Sequence, residues 1–332
     1  VNLPLAITTV RCLARDTFRQ ALASGLFWLM ASITLLGVVF CLSVTVEGDA
    51  NLQPPPDDLP ELLPNHPDFK ELAKQENLPV PSGNVTLAFG AIRAPLGRDR
   101  HDAVRFIQYV LAEWVADAGG LLLALIWTAG FLPAFLEPSN AAVLLAKPTP
   151  RWALLAGKYV GVLAFVAVMA SAFIGGTWLA LGLATGVWDG RYLLAVPMLV
   201  LHFAIFYSFS VLLAVASRST VVCVFGAIVF WMLCWGMNFG RHYVVTLPEF
   251  ESMRPAMKVL VEVGYWTLPK PGDQGIILAG LLDAGRFASP VPAFTLAQQQ
   301  GHFHLELSLL TSVLFALVML ACAAREFVIQ DY

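Results

Sequence analysis

Residues Tyr159–Trp188 read YVGVLAFVAVMASAFIGGTWLALGLATGVW, 30 residues without a single charge. About 20 apolar residues cross the roughly 30 Å hydrocarbon core of a bilayer. As a straight helix this run would reach about 45 Å, so it must tilt, protrude or bend, and Gly175-Gly176 is the predicted bend. Five more segments match it in character. Leu22 to Val46 carries no charge, Ala118 to Leu136 is bounded by Asp117 and Glu137, and Tyr192 to Ser217 is interrupted only by His202. Ser219 to Gly240 and Leu307 to Ala324 complete six predicted spans at 22–46, 118–136, 159–188, 192–217, 219–240 and 307–324.

The composition agrees. The chain has 332 residues, of which 58% are hydrophobic and 13% charged, with a mean hydropathy of +0.71. Soluble domains carry about 25% charged residues, so the soluble globular class is excluded and an all-α polytopic membrane protein is expected. The net charge of −3 gives no reason to expect nucleic acid as a partner. Cys12, Cys41, Cys223, Cys234 and Cys322 form no CxxC pair and read as small apolar residues.

Six spans put both termini on one side. Arg11, Arg15, Arg19, Lys147, Arg151, Lys158, Arg218 and Arg325 all fall there, while the one short loop opposite contains only Arg191. Eight cations against one predict cytoplasmic termini. In residues 1–21, Ile7, Val10, Ala14, Phe18 and Ala21 form an apolar stripe beside the stripe Arg11, Arg15 and Arg19. That pattern predicts an amphipathic helix on the membrane surface, in contact with lipid, ahead of a six-span domain over 22–332.

Two long outer loops are predicted, 47–112 and 241–306. The first opens with a segment too rich in proline and acid to build a core, and NVTLAFGAI at 84–92 is its candidate strand. In the second, Thr246-Leu-Pro-Glu249 has a capping-box spacing. Pro255 to Val263 and Asp273 to Ala284 follow as helices too short to span, placed at the outer interface or over the mouth of the bundle.

Ionisable residues inside a membrane mark ion or substrate paths. His202 is the single mid-span candidate, and Glu113 and Asp117 read as solvated residues at the outer end of the second span. The chain has no GxxxxGKS/T phosphate loop, no HExxH and no GxSxG, so no catalytic, cofactor-binding or metal-binding residue is assigned and the chain does not read as an enzyme.

The cytoplasmic segment 137–158 is different in kind from a plain turn. Ser139 can cap the short helix NAAVLLAK, PTP stops it, and RWALLAGKYVG restarts a helix running into the third span. Gly157 and Gly161 offer a small-xxx-small face to another helix. The residues alone read either as a rigid knuckle with an apolar tip of Val143, Leu144 and Leu145 or as an ordinary cationic inner loop.

The stretch E…LLAKPTPRWALLAGKYVG resembles the segment joining the second and third spans in the type-2 permease family of ABC exporters, in the bacterial branch that includes copper-enzyme maturation permeases. The matching positions are Glu137, Leu144, Leu145, Pro148, Arg151, Gly157 and Lys158, with Val143 beside them at the tip. The family's usual charged and glycine residues after the glutamate are replaced by PSNAA, and the first outer loop is longer than in many members. The resemblance implies a permease subunit of the bacterial inner membrane that works as a homodimer, docks its knuckle into a separately encoded ATPase and has ATP and Mg bound only in that partner. Two rivals remain. One is a non-transporting component that relays ATPase motion to a periplasmic partner, and the other is a secondary carrier using His202.

Overall fold

The computed structural model is nearly all helical and describes residues 3–47, 52–53, 80–81, 84–95, 99–135, 150–247, 250, 253–284 and 292–329. Helices α1 (Leu3–Leu22) and α2 (Gly25–Leu42) open the chain. Next come α3 (Arg100–Val110), a π-helical segment (Leu111–Gly120), α4 (Leu121–Thr128) and the short α5 (Phe131–Phe135). Helices α6 (Arg151–Thr185), α7 (Ala195–Ser217) and α8 (Thr220–Thr246) are long. Between α8 and the last helix lie α9 (Pro255–Thr267), α10 (Pro271–Leu281) and α11 (Pro292–Gln299). Helix α12 (Leu305–Ile329) closes the fold.

Among the described residues, five helical stretches are long and apolar enough to cross a membrane: Arg100–Pro133, Arg151–Thr185, Gly190–Ser217, Thr220–Thr246 and Leu305–Ile329. The pair α1 and α2, bent by 65°, makes a sixth when counted together. The beginning of α6, the close of α12 and α1 share one end of the bundle, here the terminal end. The opposite, loop end carries the strands β1 (Thr45–Glu47), β4 (Asn84–Leu87) and β5 (Ile92–Pro95) in an antiparallel sheet. There Val46 pairs with Val85, and Val85 with Ala94. A separate pair joins β2 (Leu52–Gln53) to β3 (Val80–Pro81). The predicted single strand over NVTLAFGAI is therefore a hairpin, turned at Ala88, Phe89 and Gly90, all with positive φ.

Several sequence boundaries move. The helix that contains the second predicted span begins before 118. It starts at Arg100, because Asp99 caps it by accepting from the Arg100 amide at 2.8 Å, and the first loop is shorter by that amount. Thr246 does not open a capping box. It sits in the last turn of α8, its hydroxyl donating to the His242 carbonyl at 2.6 Å, so the second loop starts later than 241. Helix α6 runs unbroken through Gly175-Gly176 and stops at Gly186, whose φ of 74° is the left-handed conformation that ends helices. Gly176 serves packing instead, since a Cβ there would lie 2.9 Å from Val38 of α2.

The same logic places α1. A Cβ on Gly157 would lie 2.7 Å from the Leu13 Cβ, and one on Gly161 would lie 2.7 Å from the Thr17 Cβ and 2.8 Å from the Ala14 carbonyl oxygen. The small-xxx-small face of α6 receives α1 from its own chain. Val10, Leu13, Ala14, Thr17 and Ala21 line the seam, while Ile7 from the predicted stripe is exposed, and so are Arg11, Arg15 and Arg19. At the bundle centre, Tyr159, Tyr207 and Phe203 stack at centroid distances of 5.6 and 5.2 Å. The Tyr159 hydroxyl donates to the Ala204 carbonyl at 2.8 Å, which satisfies a polar group that an apolar surround would penalise.

Candidate functional site

The middle of the bundle is not empty of carboxylates. With the helix extended back to Arg100, Glu113 and Asp117 lie inside a membrane-length stretch instead of at its end, on the π-helical segment. π-Helical turns shift side chains relative to the regular α-helix and are frequent at functional sites. Here the segment turns Asp117 toward α7, where its Oδ1 is 2.6 Å from Nδ1 of His202. Both side chains are buried. Residue His202 also meets the ring of Phe206 edge-on at 5.2 Å.

Helix α10 forms one wall of this site. Asp117, Met198, Leu199, His202, Gln274 and Leu278 line a cavity of about 10 Å³, at the lower limit of the space that one water occupies. His202 Nε2 and both amide atoms of Gln274 are buried and have no hydrogen-bond partner among the described residues. The Glu113 carboxylate lies flat against Gly275, where any side chain would collide with it, and its Oε2 is likewise buried without a partner. Behind Leu199, which lines both spaces, an apolar groove of about 360 Å³ runs between α2, the π-helical segment, α4, α6 and α7. Met30, Thr34, Gly119, Gly120, Met169 and Phe173 are among its walls.

The adjacent residue of α10 makes the opposite kind of contact. Asp273 is fully buried and accepts four hydrogen bonds from three helices. His242 Nε2 and Asn238 Nδ2 of α8 donate to Oδ1 at 2.8 and 2.9 Å. The hydroxyls of Tyr265 (α9) and Ser308 (α12) donate to Oδ2 at 2.5 and 2.6 Å. The four lone-pair sites of a carboxylate are thus filled. Burial alone would raise the Asp273 carboxyl, but the hydrogen bond and charge of His242, with Ser308 and Tyr265, outweigh it and hold it below the usual carboxylate range. Burial, reinforced by the Asp273 charge, pushes the Tyr265 hydroxyl up. Lys270, just before α10, donates to the Thr311 hydroxyl at 2.7 Å and lies 4.9 Å from the Tyr265 ring centroid. Its own burial brings it down to about 8, against the opposing pull of Asp273.

Among the knuckle residues, Glu137, Val143, Leu144, Leu145 and Pro148 lie outside the described residues. The flanking ones are well placed. Lys158 is buried beneath α1, donates to Gln20 Oε1 at 3.3 Å and sits 4.9 Å from the Phe135 ring centroid. Arg151 donates to the Val328 carbonyl near the end of α12 at 3.1 Å. Gly157 and Gly161 hold α1. The sequence reading missed the Asp117–His202 pair and the whole Asp273 cluster. One signal for the latter was available: in PGDQG, two polar residues stand between glycines at the start of an otherwise apolar helix. The chain matches no protein-family model and no curated protein.

Proposed function

We propose that the chain is the membrane-spanning permease subunit of an ABC exporter, working as a homodimer in the bacterial inner membrane and driven by a separately encoded ATPase that binds the ATP and Mg. One observation carries this reading. The helices that flank segment 136–149 are tied to one another at the terminal end, α6 to α1 through Gly157 and Gly161, α6 to α12 through Arg151, and α5 to α6 through Phe135 and Lys158. A push delivered to a knuckle between Phe135 and Pro150 would move α1, α6 and α12 together, and packed helices shift as rigid bodies instead of bending. In this reading the termini are cytoplasmic, α1 lies at the inner membrane surface with its arginines toward lipid headgroups, and the groove beside Leu199 suits apolar or lipid-like cargo.

The test is assembly. Burying a leucine is worth about 1.5–3 kcal/mol, and burying a charge in its place adds a penalty. Replacing Leu144 and Leu145 with aspartate should leave insertion and dimerisation intact and abolish copurification with the partner ATPase. Full retention of the ATPase by that variant would remove the reading's support. A cysteine at the exposed Met257 should label from outside intact cells and one at Ser139 should not. A secondary carrier is favoured by one observation, the pairing of His202 with a second buried ionisable group, Asp117. Flux that persists without ATP and vanishes in His202→Ala would select it.

A further inference from the structure

We propose that Glu113, Asp117 and His202 form an intramembrane proton-binding site closed by α10, so that the seating of α10 is linked to the uptake of one proton. The inference stands apart from the identity of any ATPase, because it concerns a charge balance within this chain.

The groups facing the site can be enumerated. The chamber walls come from the π-helical segment, α7 and α10, and their side chains are Asp117, His202, the neutral Gln274 and the apolar Met198, Leu199 and Leu278. Glu113 stands one turn before Asp117 and against Gly275, with Tyr109 one turn further back on the same rod. The neighbouring Asp273 is saturated by α8, α9 and α12 on another side of α10. Lys270, the cation beside α10, is engaged by Thr311 and the Leu268 carbonyl. Arg105, further up the rod, pairs with Asp189 at 2.7 Å and with Asp283 at 3.2 Å.

The site therefore holds two carboxylates and one imidazole, and among the described residues no lysine or arginine lines it. With one proton shared between Asp117 and His202, the cluster still carries one negative charge. A second proton, on Glu113, makes it neutral. An isolated charge in an apolar surround is strongly disfavoured unless it is paired or reaches water. The neutral form can lie against the backbone of Gly275, where the Glu113 carboxyl group is placed. Glu113 is half-buried and its Oε2 has no partner in this arrangement, so lifting of α10 would admit water to the charged form. His202 Nε2 and the Gln274 amide, unpartnered beside a water-sized cavity, and the unpartnered Glu113 Oε2 are the groups through which a proton would be passed.

The experiment uses the full chain in lipid nanodiscs, with the five cysteines replaced. A single cysteine is placed at Ala279, buried in α10, or at Met257, exposed on α9, the latter correcting for the pH dependence of thiol chemistry itself. The ratio of maleimide labelling rates, Ala279→Cys over Met257→Cys, should rise at least about tenfold between about pH 5 and about pH 9, as the last proton leaves. Glu113→Gln, which is neutral at every pH, should keep the ratio low throughout, and Tyr109→Phe should leave the rise intact. A flat ratio in the parent protein overturns the proposal whatever the variants do. A rise that survives in Glu113→Gln overturns it as well.

Discussion

Replacing Asp273 with alanine removes the acceptor for four buried donors at once. Hydrogen bonds to a charged group are worth about 1.5–3 kcal/mol each, but the losses do not add, because donors can turn and water can enter the space left behind. Breaking a buried charge–partner arrangement from one side costs about 3–5 kcal/mol, and that is the expected loss for Asp273→Ala. Asparagine should do far less harm. Its amide oxygen can replace Oδ1 and accept from His242 and Asn238, while its amide nitrogen can donate to the Tyr265 and Ser308 oxygens once those hydroxyls rotate. The expected cost of Asp273→Asn is about 1–2 kcal/mol. In mild detergent the thermal midpoint should fall by about 6–10 °C for alanine and about 2–4 °C for asparagine, taking about 2 °C per kcal/mol for a chain of this size. The pH sign follows from the carboxyl being held low. Its stabilisation is present above the unfolded value of about 3.9 and is lost only as pH falls through the lower folded value, so the parent–variant gap should stay constant from neutral pH down to about pH 4. Equal midpoints for alanine and asparagine, or an alanine variant within about 1 kcal/mol of the parent, would refute the four-donor account.

Two further outcomes test other parts of the fold. Gly161→Val places a branched side chain where even a Cβ meets Thr17 at 2.7 Å, so α1 should detach, and a cysteine at Thr17 should become reactive without loss of the remaining bundle. Lys270 sits at about 8 in the folded chain, so the unfolded chain binds more protons between there and about 10.4; stability should rise with pH over that interval, and Lys270→Met should remove the rise in pH-dependent melting.

The long apolar runs were legible because a bilayer leaves few alternatives to a helix of that length and polarity, and the short helices at Pro255 and in the Asp273 region were legible from apolar content between prolines and glycines. The knuckle's glycines were legible as a packing face, though not their partner, which turned out to be the chain's own first helix. Glu113 and Asp117 were misread for a definite reason. A span drawn from the first charge onward ends at Asp117 by construction, whereas the physical helix starts at the Asp99 cap. A carboxylate inside a membrane-length helix is tolerable when a partner meets it, and that partner, His202, is 85 residues away in the chain. The hydrogen-bonding of Asp273 was hidden similarly, since its four donors lie on three helices separated by loops.

The two clusters meet in α10, and their difference in bonding makes a last prediction. Asp273 and Gln274 are consecutive, yet one is tied by four hydrogen bonds to α8, α9 and α12 while the other reaches the chamber with its amide unpartnered. If α10 lifts from Glu113, the bonded side is the pivot and the Gln274 side is the one that opens. Cutting the pivot should then act oppositely to neutralising Glu113. In Asp273→Ala the cysteine at position 279 should label readily at every pH, because α10 no longer returns to its seat, whereas Glu113→Gln should protect it at every pH. The double variant separates a pivot from a mere local weakness. A neutral Glu113 position can hold α10 down only while the anchor exists, so Asp273→Ala should dominate the combination. If Glu113→Gln restores protection in the double variant, the Asp273 cluster is not the hinge of α10, and the seat against Glu113 alone determines its position.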